Sequence, residues 1–183
     1  MKVNLSYNQA RTLAEKIKAV LAPSCERIKI AGSIRRKKDT IGDIELVAIP
    51  KLKHDLIGPT PTLSTELDDL LTKLVLNDNR LIAGDKSGPL YKKFHLPAMP
   101  QLQIDLFITT PEKWPIIFSI RTGSASFSQK IVTQVKKGGL LLDHYSVSGG
   151  QIWQKGQSIN LQSEEEFFNK CLMCGWIEPH ERR

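Results

Sequence analysis

Ala31-Gly32-Ser33-Ile34-Arg35-Arg36-Lys37-Lys38-Asp39-Thr40-Ile41-Gly42-Asp43-Ile44-Glu45-Leu46-Val47-Ala48 is the stretch on which the reading of this chain turns. A glycine-serine turn and two arginines lead into a strand that opens Gly42-Asp43-Ile44-Glu45. Side chains at i and i+2 of a strand share a face, so Asp43 and Glu45 are predicted to project together. A second apolar run, Leu102-Gln103-Ile104-Asp105-Leu106-Phe107-Ile108, carries a third carboxylate where an unpaired charge would be costly to bury. An isolated Asp-x-Glu is commonly just a strand start with a solvent-facing Glu. Asp105, set within its apolar run, weighs against that reading.

Hard divalent cations take oxygen ligands, and three carboxylates in one cleft repel one another unless cations bind. Asp43, Glu45 and Asp105 are therefore the expected metal ligands and catalytic residues. The expected cofactor is a pair of Mg²⁺ ions, with Mn²⁺ as a substitute. Two such ions ~3.5–4 Å apart stabilise both the attacking and the leaving oxygen of an in-line displacement. Gly32 lets the backbone approach a phosphate, and Ser33 offers a hydroxyl and an N–H. Arg35 and Arg36 add charge-assisted contacts, and Gly42 brings the chain close to the same ligand. Together the turn and the carboxylates read as a nucleotidyltransferase signature.

The 183 residues are 40% hydrophobic, enough for a core divided between two small lobes. A net charge of +7 and a pI near 9.4 point to a polyanionic partner. Basic residues cluster at Arg35 to Lys38, Lys92-Lys93 and Lys136-Lys137, each near a suspected site element, which favours a nucleic acid over an ordinary solvated surface. No apolar run is long enough to span a bilayer and no signal-like N-terminus is evident, so a soluble intracellular protein is expected. Three cysteines fit a reducing compartment, and the lone Cys171-x-x-Cys174 reads as a half-buried helix face, since one pair cannot close a zinc site.

Apolar spacing predicts a helix over 7–21 ended by Pro23, a strand over 27–31 and a second strand over 43–50. A Pro-rich loop at 58–61 precedes a leucine-faced helix over 63–76. Strands are predicted near 80–83 and 90–96, with a loop bounded by Pro97 and Pro100 before the Asp105 strand. Beyond Pro111, helices are expected over 112–120 and 124–137, and a hairpin over 140–146 and 151–154 around Gly149-Gly150. Ser163-Glu164-Glu165-Glu166 opens a last helix with a capping-box pattern. The expected domains are 1–111 and 112–183, the first with the N-terminal helix, in an α+β fold with a mixed sheet, flanking helices and a small α/β C-terminal part.

The chain resembles the family X DNA polymerases, the DNA polymerase beta-like group. Ala31-Gly32-Ser33-Ile34-Arg35-Arg36 with Gly42-Asp43-Ile44-Glu45 resembles the palm motif of that family, and Gln103-Ile104-Asp105-Leu106 its third-carboxylate strand. Thr122-Gly123-Ser124 resembles its nucleotide-sugar turn, and Gly138-Gly139-Leu140 through Tyr145 the strand beyond it. Ser163 to Phe168 and Gly175 to Arg182 resemble its C-terminal signature. The resemblance implies a nucleotidyltransferase palm and a C-terminal nucleotide- and DNA-binding subdomain. It implies a monomeric DNA-directed DNA polymerase that takes dNTPs and fills short gaps in gapped or nicked duplex DNA during repair. It assigns the triphosphate to Gly32, Ser33, Arg36 and Gly42, the sugar to Thr122, Gly123 and Ser124, and the grip on DNA to Lys92, Lys93, Lys130, Lys136 and Lys137.

Departures are also visible. Glu45 stands where the family usually has Asp, Ile120-Arg121 where aromatics precede the Thr-Gly turn, Val132 where a template contact is expected, and Ser128 where Asn is common. With no lyase or helix-hairpin-helix domain in the sequence, a minimal form is expected. The alternatives are a template-independent or ribonucleotide-tolerant terminal transferase and, in another class, a catalytically idle nucleic-acid binder.

Overall fold

A computed structural model describes residues 3–53 and 65–183. The expected loop at 58–61 and the first residues of the leucine-faced helix lie outside the described residues. In chain order the first elements are β1 (Leu5–Ser6), α1 (Tyr7–Leu21), β2 (Cys25–Ile30), α2 (Gly32–Arg35), β3 (Thr40–Ile41), β4 (Asp43–Pro50), α3 (Glu66–Leu76), β5 (Ile82–Ser87), β6 (Tyr91–Leu96) and β7 (Met99–Ile108). They are followed by α4 (Trp114–Thr122), α5 (Ala125–Val132), β8 (Ser146–Ser148), β9 (Gln151–Gln154), β10 (Gln157–Ile159) and α6 (Glu164–Cys171). The fold is α+β. Contacts divide the chain into one unit of residues 1–30 and 39–108 and another of 31–38 and 109–183.

The first unit is built on a five-stranded mixed sheet of order β2-β4-β7-β6-β5, in which only β4 and β7 run parallel. One face is apolar: Ile44, Leu46 and Ala48 of β4 lie in register with Ile104, Leu106 and Ile108 of β7, and Phe94 of β6 adjoins Ile104. The helices arise from local signals that agree with this burial. Ser6 and Gln9 cap each other reciprocally at the start of α1, and Ala10, Ala14, Ile17 and Leu21 form its buried stripe. Thr65 caps α3, which buries Leu67, Leu71 and Leu74. A cavity of about 180 Å³ is bordered by Leu13, Ile17 and Leu21 of α1, Leu74 of α3 and Leu96 of β6. The alternate residues Asp43, Glu45, Gln103 and Asp105 occupy the other face.

Two expectations in this unit change. Leu96 pairs with Met99, so Pro97-Ala98 is a tight turn and Pro100 already lies in β7. β5 continues past Gly84 to Ser87, with an irregular register between Ala83 and Ser87.

The second unit has an apolar cluster of Ile116, Phe127, Ile131, Leu141, Tyr145, Ile152, Leu161, Phe167, Phe168 and Leu172, supplied by α4, α5, α6 and the small sheet β8-β9-β10. Gly149-Gly150 and Lys155-Gly156 have positive φ throughout, the geometry of two-residue hairpin turns. The second of these turns adds β10, a strand the polar run Gln157-Ser158 conceals. The helix expected over 124–137 stops at Val132, where Thr133 turns extended and a 3₁₀ turn, Val135–Lys137, follows. Leu140 to Tyr145 is not a strand. The amide N–H groups of Leu140, Leu141 and Leu142 donate to carbonyls of Lys130, Thr133 and Cys171, so the segment is pinned residue by residue. Ser163 caps α6, while Glu166 closes on the Gln162 N–H rather than on Ser163 itself. Cys171 is buried at the end of α6, and burial pushes its thiol up to about 11, whereas Cys174 lies beyond the helix in an exposed turn, so the pair does not form the half-buried helix face expected.

At Gly139 an added Cβ would lie 1.8 Å from the Thr133 carbonyl oxygen. Gly139→Ala should therefore lower stability by roughly 1–3 kcal/mol through overpacking, measured by urea unfolding. Gly138→Ala, whose cost is only backbone conformation with open space around the new methyl, should lose less.

Candidate functional site

The parallel pairing of β4 with β7 sets Asp43 opposite Gln103 and Glu45 opposite Asp105. Three carboxylates from two distant stretches thus share one face of the first unit's sheet, on adjacent strands. Asp105 is 7% exposed, and its carboxylate is held by two neutral donors. The Tyr91 hydroxyl donates to Oδ1 at 2.5 Å, and the Gln103 amide donates to both oxygens at 2.8 Å. Lys93 stands across from Asp105 on β6, but its ammonium pairs with Asp85 at 2.8 Å. In kind the donors fit a hard divalent cation: all are carboxylate oxygens on one face. Among the described residues no group of three or more His, Cys, Asp or Glu is arranged to hold a metal ion.

The expected nucleotide residues divide between the units. Gly42 belongs to the first, at the entry to β4, and the others to the second. Gly32 adopts φ 59° at the start of α2, a left-handed conformation suited to glycine. Ser33 Oγ is buried with no hydrogen-bond partner among the described residues, an orphan that a ligand oxygen would satisfy. Arg36 reaches across the sequence: its Nη1 donates to the carbonyls of Thr122 and Gly123 at 2.6 and 2.7 Å. The two motifs expected to hold triphosphate and sugar are therefore joined directly. Ser124 caps α5, and Gly123 is fixed by close packing, since a Cβ there would lie 2.7 Å from Ser128 Oγ. The Ser128 hydroxyl donates to the Ile120 carbonyl at 2.5 Å, which occupies it at the end of α4.

Sequence reasoning missed what anchors this arrangement. Glu164, buried at the start of α6, accepts two bonds from Arg35 at 2.9 and 2.6 Å, one from Arg182 at 2.8 Å and one from Ser119 at 3.1 Å. Arg35 also donates to Thr122 Oγ1 at 2.6 Å and lies over Phe118, while fully buried Arg182 lies over Phe168 and Trp176. Two cations around one carboxylate, each capped by aromatic faces, tie α2, the α4 end, α6 and the C-terminus together. The acidic run at 163–166 showed only its capping role, because nothing local distinguishes Glu164 from its neighbours.

Of the lysines expected on DNA, Lys130, Lys136 and Lys137 are exposed in the second unit. Lys92 and Lys93 lie in the first unit and are largely covered, paired with Asp68 at 3.1 Å and with Asp85. Burial pushes the Asp68 carboxyl up, but hydrogen bonds from Thr65 and Lys92 outweigh it, and the net shift is downward.

Two measurements check these assignments. Glu164→Ala leaves two guanidiniums without their shared carboxylate and should cost about 3–5 kcal/mol in urea unfolding. The lowered Asp68 pKa makes its contribution complete above the ordinary carboxylate range and lost as pH falls through the depressed value. The difference in thermal midpoint between wild type and Asp68→Asn should therefore be largest near neutrality and vanish on acidification.

A family model described as DNA polymerase beta thumb matches residues 119–183. The match covers the end of α4 and all that follows it, including the Thr122-Gly123-Ser124 turn, Glu164 and Arg182. No curated protein matches the chain. Among the described residues no helix is long and apolar enough to cross a membrane. Residues 119–183 are thus similar to the thumb of DNA polymerase beta.

Proposed function

We propose that this chain is a Mg²⁺-dependent DNA polymerase that adds dNMP to a primer 3′-hydroxyl and fills short gaps in duplex DNA. The observation that carries the reading is the register of β4 on β7, which gives Asp43, Glu45 and Asp105 one face on adjacent strands. The thumb match of residues 119–183, the orphaned Ser33 hydroxyl and the +7 charge support it from independent directions.

Each residue has a role in this reading. Asp43 and Glu45 would hold the cations, and Asp105 would join them and favour deprotonation of the primer hydroxyl. Bound Mg²⁺ would supply Lewis-acid neutralisation of the triphosphate charge. Ser33, with the backbone at Gly32, would hold phosphate oxygens, Gly42 would let the chain pass close to the triphosphate, and Arg36 would add positive charge while it fixes the Thr122-Gly123 turn. That turn, with Ser124, would frame the sugar. Positioning and charge neutralisation are what phosphoryl transfer requires of a protein. The exposed Lys130, Lys136 and Lys137 would follow the DNA backbone.

Primer extension on a gapped duplex, with dNTPs and with rNTPs in Mg²⁺, tests the activity. Templated extension is expected, and Asp105→Ala should lower its rate at least about a hundredfold while DNA affinity, read by fluorescence anisotropy, is kept. Addition to a single strand would identify a terminal transferase instead, and binding without incorporation an idle binder. Replacing Lys136 and Lys137 together by Ala should weaken binding to all sequences alike and reduce the slope of log K against log salt by about 2.

A further inference from the structure

The side chain that sets the state of Asp105 comes from neither motif. Tyr91 lies on β6, its Cα in register with Phe107, and its ring stacks on that phenylalanine at 5.1 Å. The stacking fixes the ring, and the hydroxyl points at Asp105 Oδ1 with a 2.5 Å hydrogen bond. Gln103, two residues before Asp105 on the same face, donates its amide to Oδ1 and Oδ2 at 2.8 Å. In register with Asp43, Gln103 stands among the carboxylates and brings no charge. A hydrogen bond to an ionised acceptor is about twice as strong as a neutral one, so these contacts stabilise the placement they define. In that placement the carboxylates do not gather into a cation site among the described residues.

We propose that Tyr91 is a positioning residue whose hydroxyl, with the Gln103 amide, engages the Asp105 carboxylate oxygens that a cation would need, so that divalent cation loading requires the Tyr91–Asp105 hydrogen bond to be released. The proposal rests on the reading of Asp105 as a cation ligand. Its physical content is a population effect. A ligand that binds only the released arrangement has its apparent dissociation constant raised by the inverse of that arrangement's population. Removing the hydroxyl raises the population and tightens binding, although no ligand atom is added. A hydroxyl that merely braced the fold would have no such effect on affinity.

Mn²⁺ titration of the full chain, followed by electron paramagnetic resonance without DNA or nucleotide, tests it. Tyr91→Phe keeps the ring on Phe107 and should bind Mn²⁺ roughly tenfold more tightly than wild type. Gln103→Met, a second variant that removes the other donor, should also tighten binding, and Asp105→Asn should lose it. Circular dichroism and thermal midpoints establish that each variant is folded. Binding by wild type that is unchanged or weakened in both donor variants overturns the proposal and leaves the carboxylate site standing. No Mn²⁺ on wild type or on either donor variant overturns the carboxylate site itself, and the proposal with it. Binding by Tyr91→Phe where wild type binds little supports both.

Discussion

Two strands that lie side by side and run the same way cannot be joined by a turn; the chain must leave the sheet and return. That constraint governs the first unit. Between the end of β4 and the start of β7 the chain passes through α3 and the hairpin β5-β6, and only then sets Asp105 beside Glu45. The parallel register also separates the two chemistries of these strands. Odd positions from Asp43 to Glu45 and from Gln103 to Asp105 carry polar side chains, while Ile44, Leu46, Ile104 and Leu106 are essentially inaccessible. A slip of one residue would put carboxylates into the core and leucines on the polar face, so burial enforces the alignment that the acidic residues need.

The second unit depends on charge in a comparable way. Glu164 lies among residues that exclude water, and the guanidiniums of Arg35 and Arg182 balance it. A lone carboxylate or a lone guanidinium in that place would be expensive; the set, with its aromatic faces, is tolerable because each member is satisfied by the others. Burial shifts the Arg182 equilibrium toward the neutral form, and Glu164 opposes that shift. The carbonyls of Thr122 and Gly123 depend on the same region, held by Arg36 beside the Arg35 contact to Thr122.

Local signals carried much of the fold. The helix over 7–21, the strand from Asp43 to Pro50 and the Gly149-Gly150 turn follow from residues within a few positions of one another, and all are legible in the sequence. Errors arose where apolar content misled. Leu140-Leu141-Leu142 resembles a strand, but each residue is tied to a different element. The helix after Ser124 ends at Val132, where the Lys130 and Thr133 carbonyls accept from the N–H groups of Leu140 and Leu141, a pairing that no pattern of hydrophobicity records. At the site, residue types and the shared face of Asp43 and Glu45 are legible from strand alternation. Tyr91, and the partners of Lys92 and Lys93, were not, because each pairing crosses strands or elements whose neighbours the sequence does not specify.

Residues 31–38 interrupt one unit and complete the other. Arg35 and Arg36 are therefore inherited with the stretch that encodes the first unit's strands, although their bonds to Thr122, Gly123 and Glu164 lie in the second. A genetic exchange that replaced everything after residue 108 would bring a new α6 to an old Arg35. Such a swap could succeed only where the incoming segment already carried an acidic residue in the place of Glu164. Modular shuffling at this boundary is thus restricted to parents that share the buried charge pattern, however well their surfaces agree.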